Sequence, residues 1–286
     1  MSLVTDLQAV LAREPVDLVQ AALIVARLEY PSLEAAATLA EIDRLSQEAT
    51  TRFRRLSGGS IRARIAALNV LFFEEEGFAG NRAHYDDFRN SLINVVLQRR
   101  LGIPISLALV YIAIARRSGL EVQGVAFPGH FLMRVPGRRG ARSEEDAILD
   151  PFDAGAELDE AACRSLLAHY AGEDAPFDPA LLEACTPRYF LARMLNNLKR
   201  TYVELRSYPQ ARRVTDLLLA VDPTLVGELR DRALLAYQLD DYRAALRDLE
   251  DYLRIQARSS QPPDPEERDQ IWEHVKTLRR KVAGMN

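Results

Sequence analysis

The stretch "LGIPISLALVYIAIARRSGL" (101–120) limits the fold more than any other part of the chain. Between Gly102 and Val110 its one polar side chain is Ser106, and from Leu107 to Ala115 apolar residues cover almost every helical face. A helix with a single apolar stripe suits a surface, whereas one that is apolar all round demands neighbours on every side. Pro104 fits the first helical position, where its missing N–H costs nothing, and Ser118-Gly119 marks the stop. The run is about half the length a bilayer span needs, so its neighbours must be protein. The stretch predicts a helix at the centre of a core.

After this helix the hydrophobic period changes. "LEVQGVAF" (120–127), "HFLMRV" (130–135) and "AILDPF" (147–152) read as short strands, separated by Pro128-Gly129 and a polar loop at 136–146. A buried helix followed by an antiparallel meander is an α+β core. Upstream, "DLVQAALIVARLEY" (17–30) has helical spacing and is closed by Pro31. A second helix follows with Ser32 as its expected N-cap. "SGGS" (57–60) is a breaker whose Ser60 can cap a helix over 61–75. Residues 74–87 read as loop and 88–100 as helix, ended by Gly102. At 286 residues the chain is too long for one ordinary core. Three parts are expected: a helical segment 1–57 packing on the core, an α+β domain over 58–180, and an all-α region over 181–286.

The last region repeats. "YPQARR" (208–213) and "YRAALR" (242–247) are offset by 34 residues, as are Leu205 and Leu239, and Leu219 and Leu253. That is the tetratricopeptide period. Leu195, Leu198, Tyr202, Ala211 and Pro223 match its signature in the first unit; Leu229, Ala233 and Ala245 do so in the second, where Arg232 replaces the usual leucine. Two repeats do not bury their own faces, so the array should lean on the α+β domain or on a last helix near Asp264–Ala283, after a hinge at 257–265. The repeats read equally as a structural lid or as a peptide groove.

Composition excludes several classes. With 37 Lys+Arg against 41 Asp+Glu, the formal charge is −4, so no general positive field exists to hold nucleic acid. The N-terminus lacks the basic start and long apolar stretch of a signal peptide. Cys163 and Cys185 form no disulfide framework and have no metal-ligand spacing, and the four histidines are scattered. Cys163 and His169, six apart on one helix, do not share a face. The expectation is a cytoplasmic protein with no cofactor, no metal, no membrane segment and no nucleic-acid partner. Phosphate loops, zinc-protease motifs, the hydrolase elbow and dinucleotide fingerprints are absent.

One constellation remains. His130 follows Pro128-Gly129, and Asp150 ends the next strand before Pro151. If these strands pair as a hairpin, the two meet at one end, and an aspartate beside an imidazole fixes its tautomer. Ser106, on the helix before the sheet, is the candidate nucleophile. For an oxyanion donor, Asn94 or the Ser106 backbone N–H comes into question. The bland alternative makes Ser106 a first-turn filler and Asp150 a strand-ending turn residue.

"NSLINVVLQRRLGIPISLALVYIAIARRSGL", "GVAFPGHFLMRV" and "ILDPFDAG", with "FFEEEGFAGNR" upstream, resemble the transglutaminase-like/tetratricopeptide proteins of the bacterial SirB (invasion-regulator) type, over about residues 30–255. The resemblance implies a papain-like core for 58–180, with a cysteine opening the buried helix and a histidine and an aspartate on neighbouring strands. Matched by segment, these positions are Ser106, His130 and Asp150, so acid and base are kept while the thiol is not. A helix N-terminus stabilises a standing thiolate; a serine stays protonated and must lose its proton during attack. Two readings follow. One is a regulatory module with a degenerate site that binds a protein or peptide partner through its repeats. The other is a serine-dependent acyl transferase or hydrolase using Ser106, His130 and Asp150, with loop 136–146 as gate or as ordinary hairpin tip.

Overall fold

The apolar helix begins and ends where its terminal residues dictate. In the computed structural model, which describes residues 2–56, 60–137, 145–258 and 265–285, it runs Pro104–Arg117 with Pro at its first position, and every residue from Pro104 to Ala115 is buried. The chain around it divides into two units. One spans Ala12–Met194; the other joins an N-terminal helix, α1 (Leu3–Leu11), to the chain from Leu195 onward.

In the Ala12–Met194 unit, α2 (Leu18–Ala26) is capped by the Asp17 carboxylate, which accepts the Val19 and Gln20 N–H groups. The next helix, α3 (Ala35–Arg55), starts at Glu34 with no side-chain cap, so Ser32 is not its N-cap. Ser60 does cap α4 (Ile61–Asn69), accepting from Ala63 N–H. The expected helix over 61–75 changes to a π-helix at Val70–Glu75. The segment read as loop contributes β1 (Ala79–Gly80), and the expected 88–100 helix is a 3-10 turn, Phe88–Ser91, then α5 (Ile93–Arg99). It ends on Arg100 in the left-handed region, φ +58°, not on Gly102. Gly102 lies in β2 (Leu101–Gly102), which pairs in parallel with β1. The apolar helix is thus α6, and α2, α3 and α5 pack on it.

The sheet follows as β3 (Gln123–Val125), β4 (Leu132–Val135), β5 (Ala147–Asp150) and β6 (Ala156–Leu158), an antiparallel meander in that order. Its fourth strand, three residues within "DAGAELDE", is too short to leave a periodic signal. One face, with Val125, Leu132 and Ile148, packs on Cys163 and Leu167 of α7 (Glu160–Ala171). On the alternate positions Met133 and Leu149 are fully buried, and α6 touches β3 and β4. The α+β core is as expected: one buried helix on a small antiparallel sheet. Residues 138–144 of the expected gate, and 57–59 of the breaker, lie outside the described residues.

Four charges lock α3 to two later segments of the core. Arg44 bonds Glu41 and Glu76, each at 2.8 Å, and Arg100 bonds the same two carboxylates. The Arg44 hydrogen bond, with Arg100 beside it, holds the Glu41 carboxyl well down, at about 2 against an ordinary 4.5. A depressed carboxyl stabilises the fold above its unfolded value and loses that contribution as pH falls towards the folded one.

In the second unit, α8 (Pro187–Glu204), which carries the chain across from the first, is followed by α9 (Tyr208–Val221), α10 (Gly227–Gln238), α11 (Tyr242–Gln256) and α12 (Pro265–Ala283). The 34-residue period is present in the backbone itself. Arg206 and Asp240 both turn left-handed, φ +56° and +57°. The following amides reach back alike, Ser207 to Tyr202 C=O at 2.8 Å and Asp241 to Ala236 C=O at 2.9 Å, which is the Schellman closure of a helix. Arg232, the departure from the repeat signature, bonds Asp216 at 2.8 Å and Asp248 at 2.7 and 2.9 Å. Asp248 is 2% exposed, so a charge pair stands where the repeat normally packs a leucine.

The open ends of this array are covered from both termini of the chain. Ile271, Val275 and Leu278 of α12 join Ala233, Ala245 and Leu249 in one core cluster. At the other end α1 packs on α9 with Leu7 and Leu11 buried. The expected 1–57 segment therefore divides, because Leu7 and Leu11 complete the repeat unit while α2 and α3 pack on α6. The boundary expected at 180/181 falls instead at 194/195, inside α8. Residues 259–264 of the expected hinge lie outside the described residues.

Two outcomes are expected. Glu41→Gln should flatten the loss of stability between about pH 4.5 and pH 2 in denaturant midpoints measured across that range. Arg232→Ala should destabilise the fold by about 3–5 kcal/mol, since it leaves Asp248 buried without a partner, whereas Arg232→Leu combined with Asp248→Leu should recover most of that loss.

Candidate functional site

His130 and Asp150 are brought together by the β4–β5 register. Met133 faces Leu149 and Arg134 faces Ile148; the same register carried one step past the ladder sets Leu132 across from Asp150, with His130 just beyond. His130 does not begin the strand, as its sequence position suggested; it ends the turn, its N–H donating to Phe127 C=O at 3.1 Å. Gly129 makes that turn at φ +69°, and a Cβ there would lie 2.4 Å from Tyr170 Cβ, so only glycine fits. The Arg193 guanidinium holds the turn from α8 by donating to the carbonyls of Phe127 and His130.

The imidazole and carboxylate are 2.9 Å apart, His130 Nε2 to Asp150 Oδ1, with side-chain exposures of 4% and 10%. Phe152 N–H donates to the same oxygen at 2.8 Å. A carboxylate only accepts, so Nε2 carries the proton of this bond. Nδ1 makes no hydrogen bond among the described residues. Tyr170 of α7 stacks on the ring at 5.5 Å and 16°, and Phe152 meets it edge-on at 6.3 Å. The imidazole is oriented from three directions.

Ser106 is differently engaged. It is 1% exposed, and its Oγ accepts Ile103 N–H at 3.1 Å. The hydroxyl proton faces two backbone carbonyls, Asn90 at 2.6 Å and Ile103 at 3.0 Å. A third-position side chain reaching back to the N-cap amide is one half of a capping box. Among the described residues, none of its hydrogen bonds goes to His130. The Ser106 backbone N–H is also taken, by Ile103 C=O at 3.1 Å. Asn94 lines a separate cleft of about 350 Å³ with Thr38, Glu41 and Arg100. Gly102 passes close to the hydroxyl, and a Cβ there would sit 2.6 Å from Oγ.

The carbonyl that Ser106 uses belongs to a fixed turn. Asn90 Nδ2 donates to the carbonyls of His84 and Tyr85, at 2.7 and 3.2 Å, and its Oδ1 accepts from Asn81 Nδ2 at 2.9 Å. Asn81 Oδ1 in turn accepts His84 N–H. Both asparagines are buried. Asn81 lies in the stretch 74–87 that reads as loop and Asn90 at the start of the expected 88–100 helix, and a pair of asparagines in a polar stretch is the one available signal. Neither cysteine stands in for the missing thiol. Burial, with Asp159 and Glu160 nearby, pushes the Cys163 thiol up, and burial pushes Cys185 up to about 11. Among the described residues no group of three or more His, Cys, Asp or Glu is arranged to hold a metal ion, and no helix is long and apolar enough to cross a membrane.

A buried helix on a four-stranded meander, with a His–Asp pair at the strand ends, is the architecture of a transglutaminase-like domain. The transglutaminase-like superfamily pattern matches residues 36–196 and the tetratricopeptide repeat pattern residues 198–276. The chain belongs to the transglutaminase-like superfamily, within its SirB1-like group. It is 37% identical over 245 residues to the UPF0162 protein of Xylella fastidiosa, covering 85% of each chain. It is 28% identical over 223 residues to Protein SirB1 of Salmonella typhimurium, covering 78% of this chain and 79% of that one. F-box only protein 21 of Mus musculus is 33% identical over 180 residues, 60% of this chain but only 28% of its own length.

Removing the Ser106 hydroxyl leaves Ile103 N–H and Asn90 C=O short of a partner. Ser106→Ala should lower the unfolding free energy by about 1–3 kcal/mol in denaturant titrations, and Gly102→Ala should also destabilise, because the added methyl displaces Oγ.

Proposed function

We propose that this protein is a regulatory, protein- or peptide-binding module whose transglutaminase-like site is catalytically silent. The observation that carries the reading is the engagement of Ser106. A nucleophilic serine needs its proton directed at a general base, and here that proton faces the carbonyls of Asn90 and Ile103. With Ser106 only 1% exposed, there is no room for an acyl carbon to approach Oγ without movement of the helix start. The His130–Asp150 pair is retained as a packed, hydrogen-bonded corner that ties α7 to the sheet ends. Tetratricopeptide arrays present extended surfaces that generally mediate protein–protein contact, which supports the partner-binding role.

A serine-directed fluorophosphonate probe tests this. The full chain should remain unlabelled after prolonged incubation, and Ser106→Cys should not confer thiol-dependent acyl transfer. Labelling that is abolished by both Ser106→Ala and His130→Ala would overturn the proposal in favour of a serine acyl transferase or hydrolase built on Ser106, His130 and Asp150.

A further inference from the structure

The α7 side of the sheet carries a cleft of about 950 Å³ within the Ala12–Met194 unit, at the upper end of the range of about 300–1,000 Å³ common for ligand sites. It shares no lining residue with the His130–Asp150 corner. Its floor is apolar: Ile148 and Leu158 from the sheet, with Phe177 and Leu182 from the segment after α7. β6, along one side, is an edge strand whose only sheet neighbour among the described residues is β5.

Among the described residues the rim is predominantly acidic. Six carboxylates line the cleft against two guanidinium groups, and both cations are already spent on acids of the same lining. Arg62 pairs with Glu157 at 2.9 Å and Arg134 with Asp146. Glu160 is answered by Arg164 from within α7. Three carboxylates face the cleft without a cation among the described residues: Glu145, Glu183, and Asp159, which accepts only Ala162 N–H as the cap of α7. Low-dielectric walls beneath such a rim concentrate its field. Free cations would satisfy the carboxylates but leave the floor wet, while an apolar ligand would bury the floor and desolvate the rim at a cost.

We infer that this cleft is a docking site for an extended segment of a partner protein in which basic and apolar side chains alternate. In an extended chain successive side chains point to opposite faces, so one set covers Ile148, Leu158 and Phe177 while arginine or lysine stems reach over the rim to Glu145, Asp159 and Glu183. The open edge of β6 offers main-chain hydrogen bonds to such a segment, the mode known as strand addition. This surface is separate from the repeats and takes a partner of defined chemistry.

The experiment uses the full chain and fluorescein-labelled octapeptides in an anisotropy titration. An octapeptide alternating arginine and leucine should bind saturably. One alternating arginine and serine, and one alternating glutamate and leucine, should each bind at least about tenfold more weakly, because the first loses the floor and the second meets repulsion at the rim. Glu145→Lys with Glu183→Lys reverses two exposed carboxylates that support no other contact, and should weaken the arginine–leucine peptide by about tenfold or more. Leu182→Asp should do likewise. The inference is overturned if that peptide fails to bind, if the arginine–serine peptide binds as tightly, or if neither variant changes the affinity. Circular dichroism of the charge-reversed variant should match the parent, so that lost binding is not lost folding.

Discussion

The constraint on which everything else rests is the burial of α6 on all sides. A helix without a solvent face needs a sheet and a shell of helices around it, and α2, α3, α5 and the β3–β4 ribbon supply them. Its first turn must then satisfy its free amides without water. Ser106 does so from inside the helix, taking Ile103 N–H and giving its proton to Asn90. That bond also explains the segments before the helix. Asn90 stays in place because Asn81 and the carbonyls of His84 and Tyr85 hold its amide, and Gly102 is small because the hydroxyl occupies the space a methyl would need. One buried hydroxyl therefore organises β1, β2 and the 3-10 turn around the helix start.

The repeat unit meets its own constraint in another way. Two tetratricopeptide units expose both ends of their stack, and here the two ends of the chain cover them, α1 on α9 and α12 on α10–α11. Because α1 belongs to this unit, the backbone passes between the two units twice, once after Leu11 and once within α8. Inside the stack, Arg232 between Asp216 and Asp248 replaces an apolar contact by an ionic one, with Asp248 as its buried member.

The parts legible in the sequence were those written as periodicity or as end signals. The α6 boundaries followed from Pro104 and Ser118-Gly119, the repeats from a 34-residue offset that reappears in Arg206 and Asp240, and the His130–Asp150 contact from strand register. Less legible were features decided by tertiary contact. β1, β2 and β6 are two or three residues long, below any period. Ser32 looks like a cap, but its helix begins at Ala35. Leu3–Leu11 reads as one more N-terminal helix, and nothing local says that Leu7 and Leu11 pack on α9. Ser106 shows the limit best. Its sequence position suggests a nucleophile; the contacts to Ile103 follow capping-box spacing, but the carbonyl that takes its proton belongs to Asn90, sixteen residues away, where no spacing rule places it.

The Ser106 hydroxyl belongs to the helix start and not to the imidazole. The ¹⁵N chemical shifts of the His130 ring, compared between the full chain and Ser106→Ala, test it most directly. Nδ1 and Nε2 should keep their shifts when the hydroxyl is removed, since among the described residues only Asp150 hydrogen-bonds to the ring. A change at Nδ1 on losing the hydroxyl, with Nε2 still bonded to Asp150, would contradict it and restore Ser106 to the place of a nucleophile.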